Sequence, residues 1–156
     1  MPYLAFKVLH IMAVVVFLGN IITGLYWKRH ADRTRDARLI AHALEGIIGS
    51  DRVFTIPGVI VIIVGGFGAA IVGGLPLLRT GWILWSLVLF SVSGIVFGSR
   101  VAPLQTRMAK LMRADAPDWK SYETLSRAWE FWGAIALLTP IAALLLMVAK
   151  PALPGL

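Results

Sequence analysis

Apolar residues dominate four long stretches of this chain, and polar residues gather between them. The longest stretch, Val53 to Leu78, runs 26 residues without a charge, more than the ~20 a helix needs to cross a bilayer. With its companions it predicts four membrane-spanning helices, at about 4–27, 53–78, 82–99 and 129–149. The fold class is therefore all-α: one integral membrane domain, residues 1–156, built as a four-helix bundle. Tyr3, Tyr26 and Trp27 flank the first stretch, and Trp129 and Trp132 open the last, as interfacial anchors do. The first stretch does not read as a cleavable signal, because its positive charges follow the apolar run and no small-residue cleavage site comes after it.

The polar segments carry helical period as well. Leu39, Ala43 and Ile47 recur at i, i+4 and i+8, so an amphipathic helix runs into the second span, with its start expected at Asp32 or Thr34. Pro57, one turn inside that span, predicts a kink or an adjustment of the helix hydrogen bonds. Gly73, Gly74 and Pro76 close the span, and Arg79-Thr80-Gly81 forms a short turn. Pro103 bends the exit from the third span. Leu104, Met108, Leu111 and Met112 then make the stripe of a surface helix lying on the bundle end. Asp115-Ala116-Pro117-Asp118 breaks that helix and caps the next. Pro140 lies inside the fourth span.

Small residues recur four apart in the second span. Gly66, Ala70 and Gly74 form one line, and Gly65, Ala69 and Gly73 form another beside it. Gly94 and Gly98 make a GxxxG in the third span. Such lines let a second helix backbone approach closely, and close packing holds membrane helices together.

Composition agrees with a membrane protein: 58% of residues are hydrophobic and the mean hydropathy is +0.80. There is no cysteine, which excludes disulfides, thiolate metal sites and thiol catalysis. The net charge of +7 reads as basic loops facing anionic lipid, with the lipid bilayer and not nucleic acid as the partner. Lys28, Arg29, Arg33, Arg35 and Arg38 follow the first span. Arg100, Arg107, Lys110, Arg113, Lys120 and Arg127 follow the third, and only Arg79 lies between the second and third. Both basic connections are therefore expected in the cytoplasm, with N- and C-termini outside it, in a cytoplasmic (inner) membrane.

Two places could carry chemistry. His10 lies about eight residues into the first span, ~12 Å deep at 1.5 Å per residue. A histidine there can ligate haem iron, bind a metal, relay protons or hydrogen-bond a neighbouring helix. Met147 and Lys150 on the fourth span share its side of the membrane and are the candidate second ligands; His30 and His42 lie on the other side. The second place is a charged cluster at the mouth of the second span: Asp51 and Arg52, joined by Arg100, Arg127 and Glu130 at a similar level. It reads either as a proton or ion path or as an ion-pair network seating the helices, with Arg100 as the expected partner of Asp51. No phosphate-binding glycine loop, dinucleotide fingerprint or HExxH motif is present.

Several of these residues resemble a known family. Lys7-Val8-Leu9-His10-Ile11, the basic patch after the first span, Asp51-Arg52-Val53-Phe54-Thr55 with Pro57, and Met147-Val148-Ala149-Lys150-Pro151 are similar to bacterial membrane proteins grouped as domain of unknown function 2269. That family is distantly similar to HemJ-type protoporphyrinogen oxidases and to the CopD copper-resistance membrane domain. The resemblance implies a four-helix haem protein, with His10 matching the first-span histidine and Lys150 the terminal lysine of the HemJ-type proteins. The chain departs from those proteins in two places. Ser93-Gly94-Ile95-Val96-Phe97-Gly98 stands where they carry a tyrosine-histidine motif, and Trp129-Glu130-Phe131-Trp132 where they carry asparagine-glutamate-x-proline.

These features leave two function classes. One is a redox or carrier protein binding haem b through His10, with Met147, Lys150 or a second subunit's His10 completing the coordination. The other is a non-catalytic scaffold or accessory subunit whose small-residue faces bind a second copy or another membrane protein.

Overall fold

The structure is a computed structural model describing all residues, 1–156, and it contains helices and no strand. Helix α1 is Pro2–Thr34. Helix α2, Ala37–Ser50, passes through a π-turn at Asp51–Thr55 into α3, Ile56–Val72. Helix α4, Gly81–Val96, passes through a second π-turn at Phe97–Val101 into α5, Ala102–Met112, and α6 is Trp119–Ala149. With the π-turns included there are four continuous rods, each long and apolar enough to cross a membrane.

The two π-turns have one cause. Pro57 and Pro103 each lack the N–H that an α-helix needs, and each ring crowds the carbonyl four residues back. The chain widens by one residue just before them. Ile56 N–H bonds the Asp51 carbonyl and Ala102 N–H bonds the Phe97 carbonyl, both five residues back. At Pro57 this is the hydrogen-bond adjustment that the sequence offers as one outcome, and at Pro103 the third rod carries on through the proline as α5. The stripe of Leu104 to Met112 is not a separate surface helix but the prolongation of the third rod, with Met108 and Met112 in the core.

The ends differ from expectation where capping chemistry decides. Asp32 and Thr34 lie inside α1, which ends at Arg35 in the left-handed region (φ 52°). Asp36 caps α2, accepting from the N–H groups of Arg38 and Leu39 at 2.8 and 3.3 Å. Helix α3 stops at Val72, short of residue 78. Gly74 takes φ +65°, and Leu75 N–H reaches back to the Ala70 carbonyl at 2.9 Å. That left-handed turn is why Gly74 is glycine. Asp118 caps α6 through Ser121, as predicted.

Both basic connections lie at one end of the bundle, the basic end. Both chain termini lie at the other, the terminal end. At the basic end α1, α2, α5 and α6 converge on one core that includes Ile40, Leu44, Met108, Tyr122 and Trp129. At the terminal end the rods separate into two pairs, α1 with α3 and α4 with α6. No α-carbon of α1 or α3 comes within 8 Å of one in α4, and Phe17 and Phe90, with ring centroids 5.8 Å apart, bridge the gap.

Each pair is held differently. Ser93 donates to the Ala136 carbonyl at 2.6 Å and Ser86 to the Ala143 carbonyl at 3.2 Å, joining α4 to α6. The Ala136 carbonyl is the one Pro140 leaves without its helical donor, so Ser93 satisfies a group the proline orphans. The α1–α3 pair is held by glycines of α3 that admit side chains of α1. The last six residues return along the start of α4 and the turn before it, where Leu156 N–H bonds the Leu78 carbonyl at 2.9 Å.

Candidate intramembrane polar sites

Asp51 is buried inside the second rod, and the widened turn presents its carboxylate to three neighbours. Asn20 on α1 donates to Oδ1 at 3.2 Å, Thr55 to Oδ1 at 2.7 Å, and Gln105 on α5 to Oδ2 at 3.1 Å. Asn20 also donates to Thr55 Oγ1 at 2.9 Å. Asn20 lies seven residues before Trp27, so this group sits about 10 Å from the level of the aromatic anchors. All three donors are neutral. Beside them is a cavity of about 30 Å³ reached also by Trp129 and Gly133 of α6. The Nε1–H of Trp129 is buried and has no partner.

The charged cluster expected around Asp51 is not assembled. Arg100 is exposed and lies over the Trp132 ring, 5.3 Å from its centroid. Arg52 and Arg127 are exposed, and Glu130 turns to a different cation. The physical reason is the π-turn. It points Asp51 into the bundle, while the neighbouring guanidinium groups stay outside, where they remain hydrated.

That other cation is Lys28, which sequence reasoning left among the solvated charges of a basic loop. Because α1 runs straight through to Thr34, Lys28 is carried under α6, where it is 1% exposed. Its Nζ bonds Asp32 at 2.7 Å, Glu130 at 3.4 Å and the Ser126 hydroxyl. It also lies 5.3 Å from the centroid of Trp129 and 5.9 Å from that of Tyr122. Tyr122 donates to Asp32 at 2.5 Å. The signal that could have found this site is the Lys28–Asp32 spacing of four along one helix face.

His10 lies in the α1–α3 seam. Its Nδ1 is 2.8 Å from the Ile62 carbonyl. A carbonyl only accepts, so Nδ1 carries the hydrogen. Gly66 faces the ring, where an added Cβ would lie 3.1 Å from Nδ1 and Cε1, and Gly65 faces the His10 backbone at 3.0 Å. Gly68 receives Phe6 and Gly73 receives Tyr3 in the same way, while Ala70 is buried. So the glycines of α3 seat the aromatic side chains of α1. Gly94 and Gly98 have nothing within 4 Å.

As an axial haem ligand, His10 fits in one respect. With the Nδ1 hydrogen committed to a carbonyl, Nε2 is the ring nitrogen left to offer a lone pair to a metal. The second ligands named from sequence do not join it. Met147 and Lys150 belong to the other helix pair, where Lys150 Nζ lies 5.5 Å from the Trp82 ring centroid. The side-chain bonds between α1 and α6, such as Lys28–Ser126 and Tyr122–Asp32, are at the basic end.

Comparison with known proteins agrees with a membrane bundle. Residues 4–151 match the model of a family described as predicted integral membrane protein, DUF2269. The chain belongs to that family. No curated protein and no solved structure matches it. The DUF2269 description goes no further than the four apolar rods do. The features specific enough to carry a function are the two polar sites and His10.

Proposed function

We propose that this DUF2269 protein is a multi-pass protein of the bacterial cytoplasmic membrane, N- and C-termini outside, that works by binding and releasing a proton at Asp51. The observation that carries this reading is a buried carboxylate with three neutral donors and no cation. An ionisable group held within a span is costly to keep and commonly marks a proton or ion path. The charged groups nearby are already committed: Lys28 to Asp32 and Glu130, and Arg100 to Trp132. A proton is then the counter-charge that Asp51 can take. Infrared spectra of the protein in lipid nanodiscs, recorded across pH, test this. A carboxylic-acid band that titrates and vanishes in Asp51→Asn supports the reading, and an unchanged spectrum in that variant overturns it.

A second reading is favoured by His10. Its fixed Nδ1–H and free Nε2 support a b-haem-binding redox or carrier protein, with His10 as one ligand and a second subunit's His10 as the other. Haem would supply one-electron chemistry on the terminal half of the bundle, and the chain would supply the imidazole and its orientation. Protein made with ample haem should then show a Soret band that His10→Ala abolishes or shifts. With neither a titrating Asp51 nor a Soret band, the remaining reading is a scaffold or accessory subunit. It would offer the open Gly94–Gly98 face to another helix.

A further inference from the structure

We propose that the cavity beside Asp51 holds one water molecule, which accepts the Nε1–H of Trp129 and bonds the Asp51 carboxyl. Its presence stands on geometry alone; its role as the companion of a moving proton rests on the reading of Asp51 above.

Trp129 is the starting point. It is 3% exposed, and its Nε1 is the one buried side-chain polar atom in the molecule without a partner. An indole N–H only donates, and leaving such a group unpaired in the interior is expensive. The ring cannot turn away to find an acceptor without losing what its face does, because Lys28 Nζ sits 5.3 Å from its centroid. Trp129 therefore touches both buried charges' surroundings: its face meets Lys28, and it lines the chamber that Asp51 also lines.

The chamber fits water and little else. Its volume of about 30 Å³ exceeds the ~10–15 Å³ that one water needs. Most of its wall is apolar, but Asp51, Asn20, Gln105 and Trp129 reach it, and a water needs only about two to four polar partners. An unused acceptor position is also present, since Oδ2 of Asp51 takes a hydrogen bond from Gln105 alone. A metal cation in the same space would meet the positive edge of the indole. Water meets no such conflict.

The bonding roles depend on the protonation state. Beside the carboxylate, the water accepts from Trp129 and donates to Asp51. When Asp51 carries a proton, its O–H donates to the water instead, and the water accepts from both sides. The proton stays on the carboxyl in that state, and only the water turns. Trp129 is thus a positioning residue. No charged side chain of the surrounding rods bonds Asp51: Lys28 is held by Asp32 and Glu130, and Arg52, Arg100 and Arg127 are exposed outside the bundle.

Proton-detected solid-state NMR of the full chain in lipid bilayers tests the site. The Trp129 indole N–H is identified by its loss in Trp129→Phe. Should that variant fail to fold, labelling the Ala128–Trp129 peptide pair, which occurs once in the sequence, identifies the same signal in the unaltered protein. The expected result is magnetisation transfer from a bound water to this buried indole. An indole with no water cross-peak, in a spectrum where exposed Trp27 shows one, overturns the proposal. The Asp51 carboxyl carbon, followed across pH in the same samples, reports separately on the functional reading. A water cross-peak with a non-titrating Asp51 leaves the water and removes the reading. A titrating Asp51 with no cross-peak does the reverse.

Discussion

The two halves of the bundle solve helix packing in different ways. At the basic end four rods share one core, and two charged side chains, Lys28 and Asp51, are buried in or against it. At the terminal end the rods form two pairs, each closed by small groups, glycines on one side and serines on the other. Within the basic half the buried charges differ again. Lys28 has two carboxylates, a hydroxyl and two aromatic faces. Asp51 has two amides and a hydroxyl. A cation surrounded by counter-charges is a fixed part of a structure, because neutralising any partner costs free energy. An anion surrounded by neutral donors can change its own charge with its neighbours in place. The comparison thus separates a charge locked by counter-charges from one held by neutral groups alone.

The largest effect should come from stripping Lys28 of its partners. Asp32→Asn together with Glu130→Gln leaves an ammonium that is 1% exposed without a counter-charge. Breaking buried pairs in this way costs ~3–5 kcal/mol. Either single substitution should cost much less, since the other carboxylate remains and both are partly hydrated, at 27% and 41% exposure. Thermal unfolding in detergent would show a steep loss only in the double variant. Simple addition of two small effects would mean that Lys28 is not the centre of one network.

The terminal half should be most sensitive where backbones meet. In Gly65→Ala the new Cβ lies 3.0 Å from the His10 nitrogen and 3.1 Å from its Cα, so two helices must part. Overpacking of this kind costs ~1–3 kcal/mol. Gly94→Ala meets nothing within 4 Å and, alanine being the better helix former, should leave the melting temperature of the isolated chain unchanged or slightly raised. Equal losses at the two positions would mean that Gly94 is covered by a partner in the detergent-solubilised protein.

Asp51→Asn should do less. The amide keeps the size of the carboxylate, and Asn20, Thr55 and Gln105 can reorient around it, so a loss within about 1 kcal/mol is expected, of the order of one ordinary hydrogen bond. If Asp51→Asn destabilises as much as the Lys28 double variant, the contrast between the two buried charges disappears. Asp51 would then be another part of the framework.

The sequence makes the halves visible but not their contents. Four apolar runs locate the rods, Pro57 announces a hydrogen-bond adjustment, and Asp118 announces a cap. Each of these is decided within a few residues of itself. The polar sites are not. Asp51 meets Asn20 and Gln105 across 31 and 54 residues, and a π-turn rotates it to do so. From sequence a membrane carboxylate calls for a cation, and Arg100 is the natural choice. The fold answers with neutral amides, because the guanidinium lies outside the bundle. Lys28 escapes notice for the opposite reason. A lysine beside Arg29 reads as solvated, and only the length of α1, set by the left-handed Arg35 beyond it, brings it under α6. Of the small residues singled out in the sequence, Gly65, Gly66 and Gly73 meet His10 and Tyr3 of the same chain, while Gly74, Gly94 and Gly98 meet nothing within 4 Å.

The smallest effect separates the halves by acid. Asp118 caps α6 at the basic end, with the Ser121 hydroxyl and then the Ser121 N–H holding its carboxyl below the usual value of 3.8. A carboxyl whose folded value is lowered contributes stability above its unfolded value and loses it as pH falls through the folded one. The contribution is therefore complete well above pH 3.8 and is lost as pH falls through the lower folded value. At the terminal end, Thr80 before α4 makes no side-chain cap bond, so nothing there titrates in this way. Amide hydrogen exchange in strong acid should then quicken at Ser121 and Tyr122 relative to Ile83 and Leu84, after correction for the intrinsic pH dependence of exchange. Asp118→Ala should show the same quickening at neutral pH and no further change in acid. Uniform quickening at both ends would show that acid loosens the bundle as a whole, with the cap contributing nothing separable.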